Sequence, residues 1–195
     1  MEKTDEALKP LIQNIRENVS ISDTDLHIVL EAFTLKALAK KEILLFKGNV
    51  SNHMRFVSEG SLRSYYIEED GEEHIIQFGI RGWWINDLYS YLTQKPATCF
   101  VQAIKPSKVL LIHRDQLNQL FDKVPPIERF FRIKFQNAYV ALQERTLERM
   151  SLSAKERYEK FRKKYRDIEQ SVPQYMIASY LNVTPEFLSS VRSDK

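Results

Sequence analysis

Apolar residues in the stretch 172–192, VPQYMIASYLNVTPEFLSSVR, recur at helical spacing in two halves. Met176, Ile177, Tyr180 and Leu181 give the first half a buried face, and Val183, Phe187, Leu188 and Val191 give the second another. Thr184 is a helix-capping residue, and Pro185 suits a first helical position, where no backbone N–H bond is needed. The pattern predicts one helix over 173–181, ended by Asn182 in the left-handed conformation, and a second helix starting at Pro185. Two helices joined this closely form either a DNA-binding helix-turn-helix or an ordinary helical hairpin packed into a core.

Upstream, the period changes twice. Residues 5–32 read as helix, with Leu8, Leu11, Ile12 and Ile15 on one face and a second start at Ser22, three residues before Asp25. Over 33–113, short runs rich in aromatic and branched residues follow one another at 43–46, 55–57, 62–67, 74–80, 99–104 and 108–113. Turn signals separate them at Lys47 and Gly48, Glu59 and Gly60, Asp70 and Gly71, Arg81 and Gly82, and Pro106 and Ser107. Six or more short strands at this spacing predict a sandwich, jelly roll or small barrel. The clearest pair is the hairpin 62–80 about Asp70 and Gly71.

Helical spacing returns at Leu117, Leu120 and Phe121, and Pro125 and Pro126 break it. Residues 127–150 hold neither Gly nor Pro and make a helix about 35 Å long, more than a compact domain needs. Phe131, Phe135, Ala138 and Leu142 form a seam along it, which either pairs with a second copy of the chain or packs against the strands. Ser153, Ala154, Lys155 and Glu156 form a capping box that starts a further helix. Tyr158, Phe161 and Tyr165 are its apolar face, and Arg157, Lys160, Arg162, Lys163, Lys164 and Arg166 its solvent side.

Composition adds one feature, the distribution of charge. The chain of 195 residues is 43% hydrophobic and 28% charged, ordinary for a soluble globular protein. Its net +3 divides unevenly: residues 1–125 carry 15 Lys/Arg against 17 Asp/Glu, and 126–195 carry 14 against 9. The basic part contains the helix pair, which suits either phosphate neutralisation on nucleic acid or a solvated helix surface. The start, MEKTDEALKP, lacks the pattern of a secretory signal, and no apolar run approaches the ~18 residues of a membrane span. Cytoplasm and no membrane partner are therefore expected. The single cysteine, Cys99, excludes an internal disulfide and a thiolate metal cluster. His27, His53, His74 and His113 lack the spacing of a metal-dependent enzyme built on such a roll, and no nucleophile elbow or Gly-rich phosphate loop is present. No catalytic residue, metal or cofactor is expected.

The order of parts resembles the Crp/Fnr family of bacterial transcription regulators over nearly the whole chain. VPQYMIASYLNVTPEFLSSVR is similar to that family's helix-turn-helix, and Gly48, Gly60, the Asp70 and Gly71 hairpin and RGWWINDLYSYL stand in the order of its roll. The resemblance implies an α+β fold. An amino-terminal antiparallel β-roll of jelly-roll type, like a cyclic-nucleotide-binding domain with flanking helices, occupies 1–125. A long dimerisation helix follows over 126–152, and a helix-turn-helix over 153–195. The family's carboxy-terminal wing is expected to be missing.

Carried over by position, Pro185, Glu186 and Ser190 would face base edges, with Glu186 able to accept from a cytosine amino group. Gln174, Thr184, Ser189 and Arg192 would reach phosphate. The family often has Arg where Ser190 stands, for guanine. In the roll, the segment that holds a cyclic nucleotide reads Asn86, Asp87, Leu88, and the family's phosphate-binding Arg and Ser/Thr become Ala97 and Thr98. An alanine cannot pair with phosphate, so cyclic AMP is not the expected ligand. Asp87 could accept from a ligand hydroxyl, and amides near Asn86, with Lys95 beside them, could hold an anion. With Trp83, Trp84, Tyr89 and Tyr91 around it, the pocket holds another ligand, or these aromatics are core. The partners implied are double-stranded DNA, a second copy of the chain, a small-molecule effector and RNA polymerase. A ligand-sensing module that acts through protein contacts is the alternative.

Overall fold

Two antiparallel sheets enclose a core of branched side chains, and helices cover both outer faces. The structure is a computed structural model and describes residues 2–193. Helices α1 (Glu2–Arg16) and α2 (Asp23–Glu31) lead into strands β1 (Thr34–Leu38), β2 (Ile43–Leu45), β3 (His53–Glu59), β4 (Ser61–Ile67) and β5 (Glu73–Ile80). Helix α3 (Leu88–Thr93), strands β6 (Phe100–Ala103) and β7 (Ser107–His113), and helix α4 (Arg114–Lys123) complete the roll. The long helix α5 (Pro125–Ser151) then leads to α6 (Ala154–Lys164), α7 (Arg166–Ser171), α8 (Gln174–Leu181) and α9 (Pro185–Ser193). The sheets have strand orders β1-β7-β3 and β2-β6-β4-β5.

Side-chain alternation along the strands divides the interior into three cores. Leu38, Leu45, Val57, Leu62, Val101, Ala103 and Val109 point between the sheets. Met54, Phe56, Leu110 and Ile112 point outward from the first sheet, onto Leu11 and Ile15 of α1, Leu117 of α4 and Phe130 of α5. Tyr65, Ile75 and Phe78 point outward from the second sheet, onto Tyr158, Phe161, Ile177 and Leu181. Because β3 is buried on both faces, it shows no alternation in sequence, which is why only its centre at 55–57 is legible there. Gly60 turns β3 into β4 with φ +93°, and a Cβ there would lie 2.7 Å from the Pro106 carbonyl oxygen.

Strand β1 has no counterpart among the sequence-predicted runs, since Lys and Ala break its apolar pattern at the sheet edge. Helix α7 is also new: Tyr165, with φ −131° and ψ 49°, ends α6 and starts a separate turn of helix. The caps behave as predicted, Ser22 accepting from the Asp25 N–H and Ser153 and Glu156 closing a complete capping box.

Helix α8 seals the free edge of the second sheet. Ser179 Oγ accepts from the Ile75 N–H at 3.0 Å and donates to the Glu73 carbonyl at 2.9 Å, so a helix hydroxyl takes the place of a neighbouring strand. Helices α6 to α9 therefore share their core with the roll instead of enclosing one alone. At the turn between α8 and α9, Asn182 adopts φ 55° and ψ 54° and donates its N–H back to α8. Replacing Asn182 by alanine should cost about 1 kcal/mol through left-handed strain, and replacing it by glycine should cost almost nothing. Urea unfolding of both variants measures the difference.

Candidate functional site

The residues expected to hold a ligand in the roll are brought together, but mainly to bond one another. Asp87 is 5% exposed and caps α3. Its Oδ1 accepts from the Ser90 N–H at 2.9 Å, and its Oδ2 accepts from the Thr98 N–H at 3.0 Å and the Cys99 thiol at 3.2 Å. Burial pushes this carboxyl up, and the bonds from Ser90, Cys99 and Thr98 outweigh it, so its pKa lies below the ordinary carboxylate value. The Ser90 amide, which could have held an anion near Asn86, is thus satisfied from within the chain. Cys99 is a core thiol whose pKa burial pushes up to about 12, and it accepts from Ser64 Oγ at 3.1 Å.

Arg55 is the residue of this network that sequence reasoning missed. It lies 3% exposed inside the roll and donates through Nη1 to Ser51 Oγ, the His53 carbonyl and Asn86 Oδ1 at 2.8, 2.8 and 3.0 Å. Burial lowers its pKa to about 10 against the opposing pull of Asp87 and Cys99. A single Arg in a short apolar run offers no sequence signal of this kind. Ala97 is buried in the inter-sheet core and has no group that could pair with phosphate.

The two tryptophans diverge from adjacent positions. Trp84 packs edge-on to Phe56 and Phe131, at centroid distances of 5.2 and 5.1 Å, and its Nε1 donates to Asn14 Oδ1 at 3.3 Å. Trp83 meets Tyr165 of α6 at 5.6 Å. Both still line a cavity of about 470 Å³, whose roll wall includes Asn86, Asp87, Leu88 and Thr98. Its other walls come from α5, with Phe135, Ala138 and Leu142, and from α6 and α8, with Phe161 and Tyr180. Of the other aromatics, Tyr91 is buried and Tyr89 is exposed.

The seam on α5 is divided by the fold. Phe131 is 2% exposed and packed among Trp84, Phe121 and Phe130, so it faces its own chain's core and offers no surface to a partner. Phe135 is half-buried beside it, while Ala138 and Leu142 remain exposed. Beyond residue 138 the helix stands away from the roll on one side and exposes Tyr139, Val140, Leu147 and Met150.

In the helix pair, Leu188 and Val191 are buried against α8, and Thr184 Oγ1 accepts from the Phe187 N–H at 3.2 Å. Phe187, expected on the buried face, is 38% exposed and turns outward with Thr184, Pro185, Glu186, Ser189 and Ser190. Ser190 Oγ donates to the Phe187 carbonyl at 2.9 Å. Gln174 is half-buried, its amide donating to the Glu169 carbonyl at 3.4 Å and its Oε1 buried without a protein partner. Arg192 is exposed and shares a groove with Arg162, Lys163 and Arg166, a basic cluster assembled from α6, α7 and α9. The expected absence of a wing concerns Asp194 and Lys195, which lie outside the described residues.

His53 and His113, far apart in sequence, meet edge-to-face at 5.0 Å because β3 pairs with β7. Among the described residues no group of three His, Cys, Asp or Glu side chains could hold a metal ion, and no helix is long and apolar enough to cross a membrane.

This architecture has known counterparts. Residues 35–124 match the family described as the cyclic nucleotide-binding domain. The anaerobic regulatory protein of Haemophilus influenzae is 27% identical over 165 residues, which cover 79% of this chain and 63% of that protein. The regulatory protein HlyX of Actinobacillus pleuropneumoniae is 26% identical, over 79% of this chain and 68% of its own. The chain is similar to regulators of the Crp/Fnr type over most of its length. Among solved Crp/Fnr-like folds, FixK2 from Bradyrhizobium japonicum superposes with a TM-score of 0.71 at 20% identity, covering 83% of each chain. The chain spans less than two thirds of the length of the Haemophilus relative. Within the Crp/Fnr layout, the roll, long helix and helix pair of this chain are all present, and the roll's polar groups are turned inward.

Proposed function

We propose that this chain is a dimeric, cytoplasmic transcription regulator that binds double-stranded DNA through α9. The observation that carries the reading is the outward face of α9. Pro185, Glu186, Ser189 and Ser190 are exposed on one side of a helix that Leu188 and Val191 anchor firmly on the other. A recognition helix needs this combination, exposed polar side chains on a rigid base. Beside it, Arg162, Lys163, Arg166 and Arg192 supply the positive groove that phosphate contacts require, and the regulatory names of the relatives point the same way. In this reading Glu186 accepts from a cytosine amino group, the small-molecule effector acts through the roll, and RNA polymerase is the downstream partner. The stripe on α5 pairs with a second copy, which sets two α9 helices about 34 Å apart.

The groove gives a direct test. Fluorescence anisotropy with a duplex at several salt concentrations should show affinity falling steeply with salt. Arg166→Gln should weaken binding to all sequences alike and reduce the log–log salt slope by about one. A slope unchanged by Arg166→Gln would remove the groove from the interface, and no binding at low salt would favour a module that works through protein contacts.

A further inference from the structure

The first turn of α9 carries an aromatic side chain that the fold does not use. Phe187 is 38% exposed and belongs to none of the three cores, whereas Leu188 and Val191, 1% and 8% exposed, hold α9 against α8. Its backbone is fixed on both sides: Thr184 Oγ1 accepts from the Phe187 N–H at 3.2 Å, and the Phe187 carbonyl accepts from Ser190 Oγ at 2.9 Å. The ring thus leaves the chain from a capped and anchored turn. Its exposed neighbours are the polar groups of the same helix, Glu186, Ser189 and Ser190. A phenyl group left in water here forgoes the gain that burial would bring, so its place on α9 is not explained by stability.

The chemistry of this turn points to one kind of contact. Glu186 offers only acceptors, and Ser190 has its hydroxyl proton turned back onto its own helix. Between them they present no forked donor for guanine. Phe187 contributes an apolar surface, and the apolar group that base pairs display in the major groove is the 5-methyl of thymine. The basic cluster of Arg162, Lys163, Arg166 and Arg192 lies where α9 meets α6 and α7 and complements the phosphates that flank such a groove.

We propose that Phe187 is a specificity-determining residue whose ring packs on the methyl group of a thymine neighbouring the cytosine that Glu186 reads. The proposal rests on the regulator reading of α9 and adds one base, and one atom of that base, to it. Uracil differs from thymine only by this methyl, so the contact distinguishes the two. A dimer makes it once in each half-site.

The test uses the whole protein and a fluorescein-labelled duplex that carries the site selected from a random pool. Its thymines are replaced by deoxyuridine one position at a time. At one position in each half-site the native protein should lose about fourfold in affinity, the worth of one buried methyl. Phe187→Ala should bind the thymine and uracil duplexes alike and, in a parallel selection, keep the rest of the site while losing the preference for that thymine. Circular dichroism checks the fold of the variant, and the uracil series on the native protein needs no variant at all. A selected site without thymine in its half-sites, uracil tolerated at every position, or a loss that persists in Phe187→Ala would overturn the proposal and leave α9 as a DNA reader. Recovery of no duplex would overturn the regulator reading itself, and the proposal with it.

Discussion

Replacing Asp87 by alanine is expected to destabilise the protein by about 3–5 kcal/mol, because several buried donors lose one shared charged acceptor together. The carboxylate caps α3, receives the Thr98 amide and the Cys99 thiol, and its charge favours the buried guanidinium of Arg55 without an ion pair between them. None of these donors finds another acceptor in the alanine variant without drawing water into the roll. The pH dependence carries a sign. Asp87 has a folded pKa below its unfolded value of about 3.9, so its stabilisation is fully present above that value and is lost as pH falls through the folded pKa. Urea unfolding of the native protein should therefore show stability falling through the acid range, with a flatter curve for Asp87→Asn. A loss under 1 kcal/mol in Asp87→Ala would mean that the network adds little to the fold and leaves Asp87 free for a ligand.

Glutamates at Val140 and Leu147 should halve the mass seen by light scattering and weaken binding to a two-fold symmetric duplex by about 100-fold or more. The stripe Ile133, Gln136, Val140, Gln143, Leu147 and Met150 repeats at spacings of three and four along α5. Val140 is 50% exposed, Leu147 57% and Met150 81%, a concentration of apolar surface that a helix in water does not retain unpaired. Charge at Val140 and Leu147 leaves the folded chain intact, because neither residue belongs to its cores. Glutamate at Phe131 would unfold α4 and α5 from the roll and report on folding instead. A double variant that keeps its mass would place the pairing surface elsewhere.

The difference between these two surfaces of α5 shows what the sequence could and could not reveal. The spacing of Phe131, Phe135, Ala138 and Leu142 establishes a helix with an apolar side, but not which neighbour covers it. Trp84 of the roll and Phe121 of the preceding helix claim Phe131, and the spacing along α5 does not say that either lies against it. Local signals translated well: Ser22, Ser153 and Asn182 cap helices as their side chains dictate, and Gly60 and Gly71 turn where the runs end. Groups assembled across strands were not legible. Arg55 and the pairing of His53 with His113 depend on registers and packing that no single stretch encodes. Asp87 was recognised as a candidate, but its commitment to Ser90, Thr98 and Cys99 depends on how α3 sits over β6.

Whether α9 of two chains reads DNA is decided by selection of bound duplexes from a random pool at two salt concentrations. An enriched two-fold symmetric site is expected, with half-sites about one helical turn apart, weaker recovery at the higher salt and a changed base preference in Glu186→Ala. Recovery of no duplex at low salt, or of duplexes without a common site, would contradict it.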